Sequence, residues 1–392
     1  MAAIQPKILT WARETAGFSL DDAAQALVLK TAYGRTGAER LAALENGEEE
    51  PTRALLAKMA KTYRRPLLVF YLKEPPKKGD RGQDFRTLPG PARENPELDA
   101  LVRDIKARQG LIRSMLEDEN VEPLGFIGSA AREVPVERLA GLMADQLGFR
   151  LDEFRATKNG EEFAYLRATI EASGVYVLLL GNLGSYHTNI PVEIFRGFAL
   201  ADKIAPLIVI NDLDARAAWS FTALHELTHL WLGDTGISGM SAENRVEQYC
   251  NDVAGEFLIP ARELQTLAPI LSRSVTSIAD EITTFAQARR VSRAMVTYKL
   301  LRTGMIGRTA WASLDTFFRQ QWAEFKEREA EKNKTTERGP NYYVVRRHRI
   351  GQLLLSLVRR SLDEGNITYT KAGRVLGVKP RNVEPLLMRG VR

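Results

Sequence analysis

The segment FTALHELTHLWLG, Phe221 to Gly233, sets two histidines four residues apart with a glutamate directly after the first. On a helix, residues i and i+4 share a face one turn apart. The imidazoles of His225 and His229 therefore reach one ion at about 2.0–2.1 Å. Glu226 is too offset to join them as a ligand, but it can hold a water at the ion and take its proton. The chemistry is metal-assisted hydrolysis. Two neutral donors leave a divalent ion positively charged, a water beside it acidifies toward neutral pH, and the carboxylate accepts the proton.

The chain has 4 histidines in 392 residues, so a chance His-Glu-x-x-His arises on the order of once in several hundred such chains. Leu224, Leu227, Leu230, Trp231 and Leu232 give the histidines apolar neighbours. The motif is expected to be half-buried, where each imidazole needs a partner and Zn2+ supplies one to both.

A catalytic zinc commonly takes three protein ligands and keeps one position open. The segment SAENRVEQYCNDVAGEFLIP offers Glu243, Glu247 and Glu256. Glu247 shares a helix face with Cys250, Asn251, Ala254 and Leu258, the apolar side. Glu243 points roughly the same way but sits nearer a fraying end, and Glu256 falls half a turn away and is expected in solvent. A carboxylate on a buried stripe needs a counter-charge, so Glu247 is the expected third ligand. The competing reading pairs Glu247 with Arg245 or Arg216. Donors for a developing oxyanion are sought at Tyr249, Tyr186 and His187.

These residues need helices and a sheet to position them. Ala217–Leu232 and Ala242–Leu258 read as helices, the second stopping before Pro260. Val175–Gly181, Val192–Leu200 and Pro206–Asn211 read as strands between turn signals. An extended chain can add as a strand to an open sheet edge, and Val192–Leu200 is the candidate for that edge. Upstream, Ile8 to Leu72 is dense in short helical patterns, with Ser19 a cap and Pro51 opening a later helix. Lys73 to Pro96 is rich in proline, glycine and charge, as linkers are. Helical patterning returns from Leu264 to the end, interrupted by the charged stretch FKEREAEKNKTTERGPN.

A chain this long holds more than one core. Hydrophobic residues make up 44% and charged residues 27%, with a formal net charge of +6. That is ample for globular packing, and compatible with nucleic acid without requiring it. The one cysteine, Cys250, excludes a disulfide framework and a cysteine-based zinc knuckle. The N-terminal segment lacks the apolar core of a secretory signal, and VYVLLLG is too short to span a bilayer. The expectation is a cytoplasmic protein with no membrane partner; an oligomer is compatible.

PLIVIN, then WSFTALHELTHLWLG, then EQYCNDVAGEFLIP resembles the ImmA/IrrE family of zinc metallopeptidases, over roughly Gly174 to Pro260. Cys250 stands where that family commonly has alanine, and Ile259 where methionine is common. The resemblance implies His225, His229 and Glu247 as zinc ligands and Glu226 as general base. It also implies a protein substrate, a repressor that silences stress, mobile-element or phage-related genes.

LTWARETAGFSLDDAAQAL, ALENGEEEP and PTRALLAKMAKTYRRPL resemble a Cro/repressor-type helix-turn-helix domain, which implies double-stranded DNA as a partner. VLKTAYGRTG reads as an insertion at its turn, and only Lys30, Arg35 and Arg40 are candidates for DNA contact. The alternative is a helical domain repurposed to hold the peptidase or its partner. Arg346, Arg347, Arg349, Arg359 and Arg360 make the C-terminal region basic, read as a solvated helix face ahead of a phosphate-binding patch.

The expected fold is α+β and mainly helical: a helix-turn-helix bundle over residues 5–72, a linker over 73–96, a zincin-like peptidase domain with a small sheet and a helical lead-in over 97–275, and a helical region over 276–392. The rival function is a DNA-binding regulator or antitoxin-like protein whose metal site is structural or silent. A small-molecule zinc hydrolase is the third.

Overall fold

Side-chain caps at several helix starts set where this chain turns. In the computed structural model, which describes residues 4–32, 34–76, 95–238, 245–270, 274–333 and 341–388, Ser19, Thr36 and Thr52 each accept a backbone N–H from three residues on. Each removes one of the donors that a helix start leaves orphaned. The chain forms two units, Met1–Asp104 with Asn182–Ile190, and Ile105–Gly181 with Pro191–Arg392.

The first unit opens with α1 (Pro6–Glu14), α2 (Leu20–Ala26), α3 (Gly37–Asn46) and α4 (Arg53–Thr62). Ile8, Leu9, Leu41, Leu56, Met59 and Phe70 fill its core. Arg13 grips Glu45 through two hydrogen bonds of 2.8 and 2.9 Å. The expected insertion is the long connection from Leu27 to Thr36, pinched by an antiparallel bridge between Ala32 and Arg35. Most of the expected linker, residues 77–94, lies outside the described residues.

The remaining elements follow in chain order. They are α5 (Pro96–Asp118), α6 (Val136–Leu147), α7 (Leu151–Ala156), α8 (Glu162–Ala172), β1 (Tyr176–Leu179), β2 (Gly197–Leu200), β3 (Leu207–Ile210), α9 (Arg216–Leu232) and β4 (Gly236–Ser238). Next come α10 (Arg245–Leu258), α11 (Ala261–Leu264), α12 (Val275–Arg289), α13 (Arg293–Arg302) and α14 (Arg308–Asn333). The last four are α15 (Tyr342–Ile350), α16 (Gln352–Asp363), α17 (Tyr369–Leu376) and α18 (Val383–Leu387). The fold is α+β and mainly helical. No described helix is long and apolar enough to cross a membrane.

The sheet has the order β1-β3-β2-β4. β1 runs parallel to β3, and β2 is antiparallel to both β3 and β4. Every residue of β1, β2 and β3 is buried, which explains their unbroken apolar runs. The expected edge strand at Val192–Leu200 is corrected: its ordered part, β2, is interior, and the edge beside it is β4. Three residues with no apolar run to mark them are invisible to strand patterning.

The apolar core continues past residue 275, where the peptidase domain is expected to end. Ile278 and Ile282 of α12, Val296 and Leu300 of α13, and Leu314 of α14 belong to the same apolar cluster as Val177, Ile208 and Leu227. α8 then anchors the last helices. Arg167 and Glu171 form a buried ion pair at 2.9 Å. Glu171 Oε2 accepts the N–H groups of Gln352 and Leu353, at 3.0 and 3.1 Å, at the start of α16. Arg167 donates to the carbonyls of His348 and Val177.

The C-terminal arginines are tied to groups of their own unit, Arg360 while exposed and Arg346, Arg349 and Arg359 while partly buried. Arg346, Arg347 and Arg359 donate to the carbonyls of Gly377, Met388 and Leu387. Arg349 pairs with Asp212, and Arg360 with Glu119. Their charge is spent on helix C-termini and carboxylates of the same unit.

Candidate metal centre

α9 is apolar almost all round, as a core helix must be. It is stopped by Gly233 in the left-handed conformation at φ 73°. Trp219, Ala223, Leu224, Leu227, Leu230 and Trp231 pack into the core cluster. His225 and His229 are 5% and 4% exposed, and Glu226 is fully buried. The burial is deeper than the half-buried helix the sequence suggests, because β2, β3, α8 and α10 all pack on it.

α10 brings Glu247 to the two imidazoles. Oε2 lies 3.2 Å from His225 Nε2, Oε1 lies 3.3 Å from His229 Nε2, and the two Nε2 atoms are 3.2 Å apart. Ligands about 2.0–2.1 Å from a tetrahedral ion stand about 3.3 Å from one another, so the spacing fits zinc. The donor chemistry fits as well. Two imidazoles and a carboxylate with converging lone pairs repel one another unless protons or a cation lie between them, and among the described residues His225 Nδ1 and His229 Nδ1 have no hydrogen-bond partner. Burial works to raise the Glu247 carboxyl, but hydrogen bonds and charge from His225 and His229 outweigh it and hold Glu247 down at about 2. It is anionic wherever the protein functions. Arg245 and Arg216 are not the partners the structure gives it.

Glu226 lies against the sheet. A Cβ placed on Gly197 of β2 would come within 2.8 Å of Glu226 Oε1 and 2.7 Å of Thr222 Cγ2. The Glu226 carboxylate is seated in the space that a missing side chain leaves. Cys250, one turn along α10 from Glu247, is fully buried. Burial and the Glu247 and Glu226 charges push its thiol well above the usual range, so it is neither ligand nor nucleophile.

The other expected site residues go elsewhere. The Tyr249 hydroxyl donates to the Val134 carbonyl at 2.7 Å. Tyr186 and His187 lie in the turn Tyr186–Thr188, which belongs to the first unit. Glu243 lies outside the described residues. Glu256, expected in solvent, is instead covered by α13 and pairs with Lys299 at 2.5 Å. Of the DNA candidates, Arg35 faces Glu48 and Glu49, Arg40 donates to the Lys30 carbonyl at 2.8 Å, and Lys30 is exposed.

Sequence reasoning missed Gly197, and it missed Phe221, whose ring sits 6.4 Å from that of His225. Phe221 had a signal, since it stands four residues before a ligand. Gly197 had none, because its role depends on which strand faces α9.

No curated protein and no solved structure matches this chain. Residues 182–301 match the family model described as Peptidase_M78, IrrE N-terminal-like domain. That family is one of zinc metallopeptidases, and the match spans β2, α9 and α10, and so all four residues His225, Glu226, His229 and Glu247. This segment is similar to a zincin-like metallopeptidase of the ImmA/IrrE type.

Proposed function

We propose that this chain is a zinc-dependent endopeptidase that cleaves a partner protein, a transcriptional repressor in stress or mobile-element gene control. The observation that carries the reading is the convergence of His225, His229 and Glu247 beside the buried Glu226. The three ligands would hold Zn2+, which when bound acidifies a water and polarises a carbonyl. Glu226 accepts the proton of the attacking water and returns it to the leaving amine. Its burial keeps that proton from bulk solvent, and Gly197 leaves the room it occupies. The β4 edge, antiparallel to β2 and following α9 directly, aligns an extended substrate by main-chain hydrogen bonds. The repressor substrate comes from the ImmA/IrrE resemblance.

Elemental analysis of the full chain tests the reading. It predicts about one zinc per chain, lost in His229→Ala and in Glu247→Ala. A wild type without zinc, even after supplementation at neutral pH, would transfer the assignment to a DNA-binding regulator with a silent metal helix.

A further inference from the structure

The last four helices lie beyond residues 182–301, the stretch that matches the peptidase family. Within them, α17 ends at Leu376 and the next helical turn starts at Pro380. Gly377, Val378 and Lys379 are the whole connection. Two helices joined by a short turn that contains a glycine make a helix-turn-helix. Gly377 takes the left-handed conformation, at φ 65°. Gly373 lets the second helix start close against the first: a Cβ there would stand 2.8 Å from the Val378 carbonyl oxygen and 3.3 Å from the Pro380 nitrogen. The 3₁₀ turn Pro380–Asn382 leads straight into α18, so the second helix runs from Pro380 to Leu387. Val383 and Leu386 bury its inner side.

Arginines hold this second helix at both ends. Arg346 donates to the Gly377 carbonyl at 2.7 Å, ahead of it. Arg359 and Arg347 donate to the carbonyls of Leu387 and Met388, at its far end. A helix this short does not hold its shape alone in water; α15 and α16 fix it in place.

The outer face carries a different set of charges. From Thr368 to Met388 the chain has Lys371, Arg374, Lys379 and Arg381 against one acid, Glu384. Arg374, Lys379 and Arg381 are exposed and Lys371 partly so. None of the four has a side-chain partner among the described residues, whereas every arginine of α15 and α16 is engaged. Lys371 and Arg374 share one face of α17 at i, i+3. Lys379 and Arg381 stand at the turn and the start of the second helix, where a recognition helix reaches base edges.

We infer that α17 and the Pro380–Leu387 helix form a DNA-binding element distinct from the N-terminal bundle. The second helix enters the major groove of a B-form duplex, and the four free cations engage its phosphates. A helix about 10–12 Å across fits a groove about 12 Å wide. Exposed Thr368, Tyr369 and Thr370 at the start of α17 add neutral phosphate donors. The assignment does not rest on the metallopeptidase reading.

Fluorescence anisotropy tests it, with the full chain titrated into a labelled mixed-sequence DNA duplex of about 20 base pairs, two helical turns. The wild type binds, and log K falls against log salt with a slope of about −3 to −4, as four phosphate contacts require. The double variant Arg374→Ala, Arg381→Ala binds about 10-fold or more weakly and loses about 2 from that slope. Circular dichroism checks its fold, and Lys371→Ala with Lys379→Ala gives the same readout if it is misfolded. Lys158→Ala with Arg308→Ala removes two exposed cations elsewhere in the second unit and changes affinity by less than about twofold. A wild type that does not bind at low salt overturns the assignment. So does binding that the C-terminal variants leave unchanged, which would put the contact in the N-terminal bundle. Equal weakening by the control pair would reduce the effect to net charge, and equal displacement of the duplex by poly-L-glutamate would make this face a dock for an acidic protein; either result overturns it too.

Discussion

Gly197 and Glu226 share one space: a methyl group on the first would stand 2.8 Å from the carboxylate of the second. The strand and the helix approach so closely that the glycine sets the position of Glu226. Real Cβ atoms do not come that near an oxygen, so any side chain at 197 moves Glu226 or the helix.

Gly197→Ala is therefore expected to lower kcat/KM by about 100-fold, since a displacement near 1 Å costs that much in a positioned site. Zinc content should stay at that of the wild type, because the three ligands lie on α9 and α10. Steady-state kinetics with parallel metal analysis check this; an unchanged rate would mean Glu226 tolerates displacement.

Glu226→Gln keeps the shape of the side chain and removes the proton acceptor. Cleavage should fall by about 10²- to 10⁴-fold while zinc stays bound. His229→Ala should lose both. Equal zinc loss in the two variants would make Glu226 a structural prop of the site rather than its base.

Glu263 clips α7 and α12 to α11, with Arg155 at 3.0 Å and Arg289 at 2.7 Å. Burial works to raise its carboxyl, but the two guanidinium groups prevail and hold it below the ordinary 4.5. A depressed folded value means the unfolded chain binds the proton more readily. The contribution is full above about pH 4.5 and is lost as pH falls through the lower folded value. Thermal unfolding from pH 6 to 3 should fall less steeply in Glu263→Gln than in the wild type. Parallel curves would refute the linkage.

Glu171 neutralises a buried arginine and caps α16. Glu171→Ala strands Arg167 in the core, at about 3–5 kcal/mol. Hydrogen exchange should show α15 and α16 opening first. Uniform protection across the second unit would contradict a local anchor.

The histidine helix was legible because helical spacing alone places His225 and His229, and the buried stripe on α10 separates Glu247 from its neighbours. The three longer strands were legible as apolar runs. The misreadings share a cause: each depends on what another element covers. Glu256 looked solvated until α13 packed on it, and the arginines of α15 and α16 looked free because the carbonyls they bind are presented by helix ends far along the chain. β2 read as an edge because nothing in its own residues announces β4. Gly197 carried no pattern, since its effect is the volume it leaves to Glu226.

The burial of Cys250 settles which kinds of signal this protein can receive through its own sulfur. Its one cysteine thiol lies beside two carboxylates in the core and stays protonated at neutral pH, so peroxide, alkylating agents and glutathione find almost no nucleophile. Whatever oxidative condition reaches the cell, it cannot be read here as a disulfide or a sulfenic acid. The protein is blind to thiol redox, and oxidants that work through a thiolate pass it by.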